Sequence, residues 1–97
     1  MPETTRTVEF GSAVGMHARP AAVIAKAAAE SGHSITLESA AGKQANAASL
    51  LLLLAMGVSA GDELTITVSG NDADAVADEF AALIASELDV PAEDGAD

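Results

Sequence analysis

The sequence predicts a two-layer, open-faced α/β (α+β) sandwich, a four-stranded antiparallel sheet covered on one face by three helices. Three observations lead there. Strand-like stretches alternate apolar and polar residues, as in Leu64, Ile66 and Val68 against Thr65 and Thr67, and strands of that kind are buried on one face only. Helical stretches fall between them in the order β-α-β-β-α-β-α, which places helices and sheet in separate layers. Finally, 97 residues that are 49% hydrophobic but only 2% aromatic suffice for one modest core of small side chains.

Taken in order, Thr4 to Phe10 reads as a strand with Val8 and Phe10 on one face and Thr7 and Glu9 on the other. Gly11 to Met16 is a loop in which Gly15 serves either a turn or a close backbone approach to a ligand. Pro20, tolerated in a first helical turn because its missing N–H would be unpaired there anyway, marks a helix from Ala18 to about Ser31. Lys26 and Glu30 lie on its solvent side, and Gly32 stops it. Ser34 to Ser39 alternates again with Ile35 and Leu37 inward, and Ala40-Ala41-Gly42 turns into a weak edge strand, Lys43 to Asn46. Ser49 is placed to cap a short helix ending before Gly57. Its five leucines, Leu50 to Leu54, encircle the helix. Two or three are expected in the core and the rest in an exposed apolar patch, unless the helix is buried on all sides. Glu63 to Ser69 is the clearest strand. Gly70-Asn71-Asp72 then leads into a helix to about Leu88, striped by Val76, Phe80, Ile84 and Leu88. The unit spans residues 1–90, and 91–97 form an acidic, frayed tail.

Composition narrows the function classes. Four basic residues against fifteen acidic ones give a formal charge of −11, which disfavours a nucleic-acid partner. There is no cysteine, hence no disulfide and no thiolate metal site. His33 stands in a turn without ligand partners at metal spacing, and a solvent-exposed role is expected for it. Met1 to Thr5 lacks a basic signal-peptide start, and Ala47 to Val58 is too short and interrupted to span a bilayer. A cytoplasmic monomer without membrane insertion is expected, with no cofactor.

The chemistry concentrates in Gly15-Met16-His17-Ala18-Arg19-Pro20-Ala21-Ala22. A helix start exposes backbone N–H groups and the positive end of the helix dipole, which favour an anion. Arg19 adds a planar cation suited to phosphate. Imidazole is substantially neutral near pH 7, so a ring nitrogen has a lone pair with which to attack phosphorus. A phosphoryl group carried on His17 follows from that combination.

This segment resembles the active-site signature of the HPr family, the histidine phosphocarriers of the sugar phosphotransferase system. The likeness extends through Gly42-Lys43, Ala48-Ser49-Leu50 and Met56-Gly57. It implies that His17 accepts phosphate through Nδ1 from phosphorylated enzyme I and passes it to IIA domains of sugar permeases. Arg19 and the amides of Ala18 and Arg19 would stabilise the phosphoryl oxygens. Met16, Lys26, Leu50, Leu51 and Leu54 would form the docking face, and Ser49 matches a serine modified by a regulatory kinase in some lineages, although capping alone accounts for it. Such a protein is a carrier rather than a turnover enzyme. The alternative is an HPr-like regulatory or nitrogen-relay paralogue that acts mainly by protein binding. The chain departs from the family at Val14, where a small polar residue is frequent, and at Ala29, Ala48 and Leu52, where lysines are common.

Overall fold

The computed structural model describes residues 3–11 and 15–86. The strands are β1 (Glu3–Glu9), β2 (Ser34–Ser39), β3 (Gln44–Asn46) and β4 (Glu63–Ser69), and the helices are α1 (Ala18–Ser31), α2 (Leu50–Ala55) and α3 (Ala73–Ala85). In chain order this is β-α-β-β-α-β-α, as expected. Within the sheet the order is β1-β4-β2-β3, with every pair antiparallel.

The strand with the clearest alternation occupies the interior. β4 lies between β1 and β2 and buries Leu64, Ile66 and Val68. They meet Ile35 and Leu37 of β2, with Leu37 opposite Ile66 in register. Ile24 and Ala28 of α1, Leu53 of α2, and Ala77, Phe80 and Ile84 of α3 close the core from the helical side. The other sheet face carries Thr36, Glu38, Thr65 and Thr67, half-buried, and the exposed Thr5 and Thr7.

Both edges are blunted in ways that discourage pairing with another sheet. β3 has only three residues; Lys43 lies outside it, one residue short of the expected strand. β1 turns Thr4 and Arg6 toward the helices, where the Thr4 hydroxyl donates to Asp74 and Arg6 Nε donates to Asp78 Oδ1 at 2.9 Å. Phe10 falls just beyond β1, which starts at Glu3 and ends at Glu9, yet it is buried as the alternation requires.

Two expectations change. The last helix ends at Ala85, where Ser86 takes an extended backbone and returns its N–H and hydroxyl to Leu83 O. Leu88, placed on the helix stripe, lies outside the described residues, as do Val14 and the 91–97 tail. Second, of the five leucines only Leu53 enters the core. α2 is six residues long and lies against α1 and β3, so a single position faces inward.

Candidate functional site

His17 is the N-cap of α1, with extended backbone at φ −143° and ψ −168°. Its carbonyl accepts the first helical hydrogen bond, from Ala21 N at 3.0 Å. Pro20 is buried in the first turn with no N–H to lose, and the amides of Ala18 and Arg19 precede any intrahelical acceptor. No carboxylate stands in that turn. The His17 side chain is half-buried and its Nε2 is shielded from solvent.

The segment before His17 is held from two sides. Gly11 donates its N–H to Ile84 O at 3.0 Å, at the end of α3. Met16 donates to Val58 O at 2.8 Å, three residues beyond the end of α2. Gly15 makes the turn between them at φ +87°, where a Cβ would also crowd Val58 O at 3.0 Å. The close approach left open by the sequence is therefore to the chain's own backbone.

Ala18, Arg19 and Lys26 are exposed, and Met16 is half-buried against the core. Among the described residues the ion pairs belong to Arg6, which faces Asp74 and Asp78, so Arg19 and Lys26 are not neutralised by a carboxylate. α2 lies against α1, and Leu50, Leu51, Leu52 and Leu54 are exposed together with Val23 of α1. Of the docking residues expected from the sequence, Lys26 stands on α1, Leu50, Leu51 and Leu54 on the adjoining α2, and Met16 just before α1, while Val23 and Leu52 are further exposed apolar residues on the same two helices. Val23 escaped notice because its alanine neighbours blur which face of α1 is buried. Ser49 is the N-cap of α2, its Oγ accepting from Leu52 N at 3.2 Å.

His33 joins no metal-holding group among the described residues, but it is not an idle surface residue. It is half-buried, with Nδ1 2.8 Å from Ser31 O and Nε2 within hydrogen-bond distance of Asn71 O. Among the described residues no group of three or more His, Cys, Asp or Glu is arranged to hold a metal ion, and no helix is long and apolar enough to cross a membrane.

An antiparallel open-faced sandwich that presents a histidine at the mouth of its first helix, with an arginine two residues on that no carboxylate pairs among the described residues, defines the class of small histidine phosphocarriers. Residues 4–86 match the family model described as the PTS HPr component phosphorylation site, and the chain belongs to the HPr family of the phosphotransferase system. It is 37% identical over 84 residues to the phosphocarrier protein HPr of Streptomyces coelicolor, covering 87% of this chain and 90% of that protein. It is 36% identical over 89 residues to the phosphocarrier protein NPr of Shewanella violacea, covering 92% and 97%. The crystal structure of HPr from Bacillus anthracis superposes with a TM-score of 0.78 at 29% identity, over 84% of this chain and 96% of that one.

Proposed function

We propose that His17 carries a phosphoryl group from phosphorylated enzyme I to IIA domains of sugar permeases. The observation that carries this reading is His17 at the N-cap of α1, followed by two amides without intrahelical acceptors and an arginine that no carboxylate pairs among the described residues. A lone pair on Nδ1 attacks phosphorus, the N–P bond forms, and the bond to the donor breaks with its electron pair leaving on the donor. The second transfer repeats this with His17 as the leaving group. Shielding of Nε2 supports Nδ1 as the reacting atom.

The amides of Ala18 and Arg19 and the Arg19 guanidinium stabilise charge on the transferring oxygens, which is the main demand of phosphoryl transfer. A shallow site of this kind suits a group in transit, because the carrier must release it again. Val23, Leu50, Leu51, Leu52 and Leu54 give the partner an uncharged apolar surface, with Met16 and Lys26 beside it. The chain works among cytoplasmic proteins as a carrier and not as a turnover enzyme. A regulatory kinase acting on Ser49 belongs to the same proposal. Likeness to the Shewanella NPr favours a nitrogen relay as the second reading.

Incubation with phosphoenolpyruvate and enzyme I is expected to give an acid-labile, base-stable phosphoprotein, and His17→Ala to abolish it. Equal labelling of the alanine variant would refute the site. Transfer onward to a sugar IIA domain distinguishes the sugar relay from the nitrogen one.

A further inference from the structure

His33 follows Gly32, the left-handed C-cap of α1 at φ 74°. Its two ring nitrogens face two backbone carbonyls from different parts of the chain, Ser31 O beside it and Asn71 O 38 residues away. Carbonyl oxygens only accept hydrogen bonds. A neutral imidazole offers one N–H and one lone pair, so it satisfies one carbonyl and turns its lone pair on the other. The imidazolium donates to both.

The setting holds the ring in that position. Ser31 Oγ accepts from His33 N at 3.1 Å and donates to Ala28 O at 2.7 Å, tying the His33 backbone to the last turn of α1. On the other side the ring lies over Gly70, where a Cβ would come within 2.8 Å of Cδ2. The charged group that acts on the ring through space is Asp72, held in the left-handed region at φ 60° in the turn before α3. The ends of β2 and β4 beside it present Ser34 and Ser69, while the nearest charged residues along α1 and α3 are Glu30 and Asp74.

We propose that His33 is a proton-dependent clamp, fastening the C-terminal end of α1 to the turn that opens α3 while its ring carries both protons. The Asn71 carbonyl, the Ser31 carbonyl and the charge of Asp72 raise its proton affinity above that of an ordinary histidine, against a smaller opposing effect of desolvation. Because the folded state holds the proton more tightly than the unfolded chain, the clamp contributes its full stability below the ordinary histidine value of about 6.5. That contribution is lost as pH rises through the raised value of the folded state. On losing a proton the ring releases one carbonyl, and the bond to Asn71 is the one that joins distant segments. The clamp lies at the opposite end of α1 from His17, about 21 Å along a 14-residue helix, so its test is independent of phosphoryl transfer.

Nitrogen-15 NMR of the ring, from roughly pH 5 to pH 9, reads the clamp directly in the unmodified protein. Both ring nitrogens are expected to be protonated on the acid side of a titration midpoint that lies above about 6.5. A second measurement compares urea stability with His33→Gln, whose deficit should be largest in acid and shrink as pH rises past the parent's midpoint. A midpoint at or below about 6.5, or a deficit that does not change with pH, would each overturn the proposal.

Discussion

Replacing Leu51 and Leu53 one at a time separates docking from folding within a single run of leucines. Leu53 is 0% exposed and Leu51 77% exposed. Truncating a buried leucine to alanine loses its transfer energy and leaves a cavity, together about 2–5 kcal/mol. Leu53→Ala is expected in that range, a large share of the ~5–15 kcal/mol by which small domains are stable. Leu51→Ala removes carbons that already face water, so its effect on stability should stay within about 0.5 kcal/mol. Against a partner the order reverses. Three carbons at about 0.8 kcal/mol each come to about 2.4 kcal/mol if burial is complete. Because Leu51 is 77% exposed in the unbound domain, the share still to be gained is about 1.8 kcal/mol. At 1.4 kcal/mol per tenfold, that is a weakening of roughly twentyfold in Kd for enzyme I. Urea unfolding followed by circular dichroism gives the first quantity, and calorimetric titration into enzyme I gives the second. A Leu51→Ala protein with parental affinity, or a Leu53→Ala protein with the parental urea midpoint, would refute the division of labour.

The cap and the loop base make two further predictions. Ser49→Ala removes the oxygen that accepts from Leu52 N and is expected to cost about 1 kcal/mol; an unchanged urea midpoint would show that α2 is held by packing alone. Gly11→Ala puts a Cβ 1.9 Å from Ala85 O and 2.8 Å from Ser86 O, both backbone atoms. A cost of about 1–3 kcal/mol or more is expected, and with it slower labelling of His17, since Gly11 begins the loop that leads there. Parental stability together with parental labelling would refute it.

The sheet and the three helices were legible because their signals are local. Alternation in Glu63 to Ser69 marked the central strand, and Pro20 and Gly32 marked both ends of α1 to the residue. The helix start on which the proposed site stands was legible for the same reason, since His17, Arg19 and Pro20 fall within four consecutive residues. What escaped the sequence depends on contacts between distant segments. Which leucine of five faces inward is decided by how α2 meets α1 and β3, and five identical residues carry no phase. His33 meets Asn71 only because β2 and β4 pair with Ser34 opposite Ser69, and a carbonyl acceptor leaves no trace in residue type. Arg6 of β1 finds its partners, Asp74 and Asp78, at the other end of the chain, a pairing that no local pattern announces.

The strongly acidic composition fits a phosphate-carrying site once the placement of charge is considered. A phosphorylated His17 adds close to two negative charges to a chain already at −11, and nearby carboxylates would oppose loading. Along α1 the first carboxylate is Glu30, twelve positions after Ala18, or about 18 Å along the axis. That exceeds twice the screening length of about 8 Å at physiological ionic strength. α2 contains no charged residue at all. On α3, the carboxylates of Asp74 and Asp78 are turned to Arg6 on β1. The field felt by the phosphoryl group from its own helix is therefore set by Arg19 and the opening amides, with Glu30 beyond the screening length. The same arrangement leaves exposed leucines on α2 where lysines are common in the family, so under the proposed function burial of leucine, more than charge attraction, is expected to hold the partner during transfer.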